Sequence, residues 1–94
     1  MRNTWLAVRV FAVNVSLILF TSVLKFTAKF GFLPNIKNIV IVNTYPYCIS
    51  FSCNGSLCED FAEILYDELL SYGLAANLNK KGAKYVYRIY KIKF

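Results

Sequence analysis

Ninety-four residues make one domain at most, and 57% hydrophobic with 17% aromatic against only 17% charged residues is more apolar than ordinary globular usage. The absence of histidine, with Cys48, Cys53 and Cys58 at five-residue intervals, excludes a tetrahedral zinc site. The net charge of +6 divides unevenly: all five acids (Glu59, Asp60, Glu63, Asp67, Glu68) fall in one ten-residue window, and six of the eleven bases (Lys80, Lys81, Lys84, Arg88, Lys91, Lys93) crowd the last fifteen residues.

The opening MRNTWLAVR carries Arg2, Trp5 and Arg9, the pattern of a signal-peptide n-region or of a membrane-anchor flank. Val10 to Leu24 follows without a charge. Fifteen helical residues span about 22 Å, short of the roughly 30 Å hydrocarbon core, but Trp5 to Arg9 and the snorkelling Lys25 and Lys29 lengthen it. No pair of small residues marks a cleavage site, so the sequence predicts a retained transmembrane helix. The competing reading is a buried, β-rich segment, because Val8, Val10, Val13, Val15, Ile18 and Val23 are β-branched. KFTAKFGFLPN adds Phe26, Phe30, Phe32 and Leu33 between lysines, an interfacial texture, and Gly31 and Pro34 end the helix. The sequence thus divides into an anchor over 1–34 and a small domain over 35–94.

Ile36 to Val42 and Tyr47 to Cys53 read as antiparallel strands around a turn at Asn43, Thr44 and Pro46. In the second, Ile49, Phe51 and Cys53 share one face and Cys48, Ser50 and Ser52 the other. Asn54-Gly55 turns the chain, and Ser56 with Glu59 predicts a capping box. The helix over Leu57 to Tyr72 has the stripe Phe61, Ile64, Leu65, Leu69 and Tyr72, with acids on the other side and Gly73 as its stop. Leu74 to Gly82 reads as a polar connection, and Lys84 to Phe94 as a final strand. The expected fold class is α+β: a transmembrane helix, then a β-β-α-β domain with one helix across three strands.

The acidic helix and basic strand attract each other first, and the residual positive potential offers a surface to phosphates or anionic headgroups. The tail alternates bases with Tyr85, Tyr87 and Tyr90, which fits either a nucleic-acid track or an edge strand guarded by lysines. Asn54-Gly55-Ser56 and Asn14-Val15-Ser16 match the N-glycosylation sequon; turn chemistry accounts for the first, and the second lies inside the apolar run. The cysteines are either small buried hydrophobes in a reducing compartment or one lumenal pair with a leftover thiol. Glu63 and Asp67 stand i, i+4 on a solvated helix face, without the cleft that catalysis needs. No catalytic, cofactor-binding or metal-binding residue is assigned.

MRNTWLAVRVFAVNVSLILF, NTYPYCISFSCNGSLCEDFAEILYDELL and the basic, tyrosine-rich end, in a chain of this length, resemble the small 4b-type accessory proteins of avian gammacoronaviruses. The resemblance covers the whole chain and carries no functional residue over. It implies a viral, non-structural, dispensable protein of undefined activity, with modulation of the host response through protein–protein contacts as the expected role; the want of any nucleophile and base pair adds the expectation that it is not an enzyme. With the anchor reading, it places the chain at a host intracellular membrane, the endoplasmic reticulum, with a cytosolic C-terminal domain; a soluble cytoplasmic protein is the alternative. Expected partners are the membrane and a host protein, with self-association open. The alternative function is a small basic nucleic-acid-binding module.

Overall fold

A computed structural model describes residues 14–92, and within them the order is α-β-β-α-β-β. Helix α1 covers Val15–Phe30. Strands β1 (Ile36–Val42) and β2 (Tyr47–Cys53) form a first hairpin, α2 spans Cys58–Ser71, and β3 (Leu74–Lys81) and β4 (Lys84–Lys91) form a second. The four strands make one antiparallel sheet in the order β1-β2-β4-β3, so α2 carries the chain from β2 across to the far edge. Both helices lie on one face of it.

The apolar run does not cross a membrane as α1. Among the described residues no helix is long and apolar enough to do so. The predicted transmembrane anchor is therefore replaced by a 16-residue helix packed in the protein core. Trp5, Arg9 and Val10 to Val13 lie outside the described residues. The polar residues that weaken the run also fix its conformation. The Asn14 side chain accepts from the N–H groups of Ser16 and Leu17 and so caps the helix, while Asn43 clamps this end: its Oδ1 accepts from the Val15 N–H and its Nδ2 donates to Asn14 Oδ1. Gly31, at φ 84°, closes the other end by donating its N–H to the Thr27 carbonyl. Val15, Ile18, Leu19, Ser22 and Phe26 form the buried face between.

The second correction is a fourth strand. Leu74 to Gly82 looked like a polar connection because its solvent positions hold asparagine and lysine, yet Leu74 and Ala76 alternate into the core and the segment pairs along β4 from Leu74↔Lys91 to Lys81↔Lys84. Gly82, at φ 60°, makes the two-residue turn that closes this hairpin. The boundaries of β1 and β2 match the sequence reading, with an irregularity between Lys37 and Val40 where Asn38 takes φ 55°.

The third correction lies at the start of α2. Helical geometry begins at Cys58 with Leu57 as N-cap and no side-chain cap bond. Ser56 is thus one residue too early for the expected capping box, and Glu59 pairs with Lys80 instead. Cys53 and Cys58 form a disulfide that joins the end of β2 to the first residue of α2, leaving Cys48 as the free thiol. That is the paired arrangement rather than three buried thiols. Phe61, Leu65 and Leu69 are buried as the stripe requires, whereas Tyr72 is about half exposed. Glu68 turns inward against α1, where its carboxylate accepts from Lys25 Nζ at 2.6 Å.

The core between sheet and helices is aromatic. Phe51 stacks on Tyr85 at 5.4 Å between centroids and meets Phe61 edge-on at 5.5 Å; Phe61 meets Phe26 of α1 at 5.9 Å. Through Phe26 the N-terminal helix shares the core of the sheet.

Candidate nucleic-acid interface

The core takes one face of the sheet, and the period-2 alternation of each strand assigns the rest to the other. Tyr85, Tyr87 and Ile89 of β4 point to the helices, so Lys84, Val86, Arg88 and Tyr90 point away. Strand pairing sets these in rows. The first row across the sheet is Lys37, Ser52, Lys84 and Lys81; the second is Val40, Ser50, Val86 and Asn79; the third is Val42, Cys48, Arg88 and Asn77. Tyr90 and Ala75 follow in a fourth. No described element covers this face.

Its charge is of one sign. All five acidic side chains of the chain lie on α2, behind the sheet, and two of them engage bases there: Glu59 takes Lys80 and Glu68 takes Lys25. Hydrogen bonding to its carboxylate partner raises the pKa of each lysine above the usual 10.5. Lys91 lies over the Tyr45 ring, 5.4 Å from its centroid. The mutual attraction of acidic and basic blocks therefore uses Lys80 on the helix side. Lys81, Lys84 and Arg88 remain on the open face, where Lys37 joins them.

A shallow depression of about 310 Å³ marks the third and fourth rows, lined in part by Pro46, Cys48, Asn77, Arg88 and Tyr90. Arg88 and Asn77 are exposed register partners. Arginine donates through two N–H groups in a fixed fork, and asparagine pairs one donor with one acceptor, the geometries that read purine edges. Of the tyrosines named from sequence, only Tyr90 reaches this face; Tyr85 and Tyr87 are buried in the core. Among the described residues no group of three or more His, Cys, Asp or Glu side chains is placed to hold a metal ion.

Sequence reasoning found the bases of β4 and missed the surface they belong to. Asn77, Asn79 and Lys81 reach it only because 74–81 is a strand, and Lys37 only because β1 pairs on the other side of β2. The readable signal was the alternation of Leu74, Ala76 and Leu78 ahead of Gly82. Compared with protein-family models, curated proteins and solved structures, the chain matches none of them.

Proposed function

We propose that the chain is a small non-enzymatic module that binds double-stranded DNA through the open face of its sheet. The observation that carries this reading is the division of charge: Lys37, Lys81, Lys84 and Arg88 stand on one uncovered face and every acidic side chain stands behind it. Phosphates meet four cations there without a competing carboxylate.

Duplex is favoured over single strand because strand-tracking surfaces need successive rings for the bases, and this face offers Tyr90 alone among the described residues. DNA is favoured over RNA for reasons of groove shape. A two-stranded ribbon fits the B-form major groove, roughly 12 Å wide, whereas the A-form major groove is too narrow to read. The β3–β4 hairpin is such a ribbon, with Lys81 and Lys84 beside its tip and Asn79, Asn77 and Arg88 behind them.

Fluorescence anisotropy of a labelled duplex across a salt series tests the reading. Four phosphate contacts give a slope of log K against log salt of roughly −3 to −4, and Lys81→Gln with Lys84→Gln removes about two units of it. Absence of duplex binding at low salt, or an unchanged slope in the double variant, overturns the reading.

A further inference from the structure

Behind the sheet, α1 presents a second surface, of opposite character. Viewed down the helix, the residues diametrically opposite the core stripe are Leu17, Phe20, Leu24 and Ala28, and the first three are 60%, 59% and 52% exposed. A surface helix ordinarily puts charge there. This face has none, and the hydroxyls at its edges are taken up by the helix's own backbone: Thr21 donates to the Leu17 carbonyl at 2.9 Å and Thr27 to the Val23 carbonyl at 2.8 Å. Lys25, at its margin, is held by Glu68. The outer face of α1 is therefore apolar without interruption over two turns.

We infer that this face is covered by the same face of a second copy, so that the protein forms a two-fold dimer through α1. An uncharged stripe is self-complementary, since a two-fold axis sets Leu17, Phe20 and Leu24 against their own equivalents with no like charges brought together. Helices of this length meeting along such faces cover roughly 500 Å² on each partner, and the total of about 1,000 Å² is the lower bound for a specific interface, which makes the dimer a weak one in the micromolar range. A bilayer is a poorer cover. The exposed Glu59, Glu63 and Asp67 of α2 lie in the same helical layer, and anionic headgroups meeting α1 would meet these carboxylates too. The dimer does not depend on DNA binding.

Sedimentation equilibrium of the full chain tests this, with Phe20→Glu/Leu24→Glu and the milder Leu17→Lys as variants. These side chains are more than half exposed, so both variants keep the wild-type circular dichroism and melting profile. Wild type is expected to shift from monomer to dimer with concentration, and both variants to stay monomeric. A wild type that is monomeric at about 100 μM, well above a micromolar dissociation constant, overturns the proposal. So does a dimer that persists in the variants, which moves the interface elsewhere. A monomer that associates only when residues 1–13 are removed assigns the face to the chain's own N-terminal segment, and flotation of wild type but not variants with phosphatidylcholine–phosphatidylserine vesicles assigns it to a membrane; either overturns it.

Discussion

Tyr87 sits at the centre of the core with its hydroxyl donating to the Ala62 carbonyl at 2.8 Å, so one side chain of β4 both packs under α2 and satisfies its own polar end. Burial raises its pKa well above the ordinary 10.0. A phenol with a raised folded pKa keeps its full contribution below the unfolded value and loses it as pH rises beyond that value. Stability should therefore fall above about pH 10, by up to about 1.4 kcal/mol per pH unit from this group. The raised pKa of Lys25 acts in the same direction above 10.5. Tyr87→Phe should cost about 1 kcal/mol at neutral pH through the lost hydrogen bond and flatten the alkaline fall. Urea titrations at pH 8 and pH 11 measure both, and an equally steep fall in the variant would show that other groups carry it.

At the scale of elements, α2 holds the helix layer to the sheet, and its two sides should respond differently to truncation. Leu65 is fully buried, and Leu65→Ala should cost about 2 to 5 kcal/mol; Asp67 is exposed, and Asp67→Ala should cost well under 1 kcal/mol. Thermal melts of the full chain separate the two, and equal losses would mean that α2 is not packed as described. The Cys53–Cys58 disulfide closes a loop with a separation of five residues, for which chain entropy gives a stabilisation of about 2 kcal/mol. Cys53→Ser/Cys58→Ser should lower the urea midpoint accordingly. Reducing agent should do the same to the wild type while leaving the variant unchanged.

The elements that were legible in the sequence are those whose pattern is local. β1 is a short run rich in Ile and Val that stops at a turn, β2 alternates after that turn, and the stripe of α2 repeats at helical spacing, so their limits could be read within a residue. β3 was not, because an edge strand shows few core residues and its solvent side, with Asn77, Asn79 and Lys81, has the composition of a loop. The run from Val10 to Leu24 failed for a different reason. Apolar residues all round a helix look the same whether lipid, a core or a second copy covers the outer face.

On the scale of the whole molecule, the sheet divides the protein into a basic face and a helical layer that holds every acidic side chain. Lys37 tests how much of the face meets DNA, since three strand spacings of about 4.8 Å each separate it from Lys81. If the duplex lies across the first row, Lys37→Gln should flatten the salt slope by about one unit; if only the β3–β4 ribbon makes contact, the slope should not change. Sequence alone determined the charge blocks, the first hairpin, the amphipathic α2 and the turn glycines, because each depends on residues within a few positions of one another. Only the tertiary structure decided that α1 belongs to the core, that Cys53 pairs with Cys58, and that Lys37, Lys81, Lys84 and Arg88 share one face. Those outcomes depend on how the elements pack: residues 37 and 84, for example, fall into one row only when the order β1-β2-β4-β3 has formed.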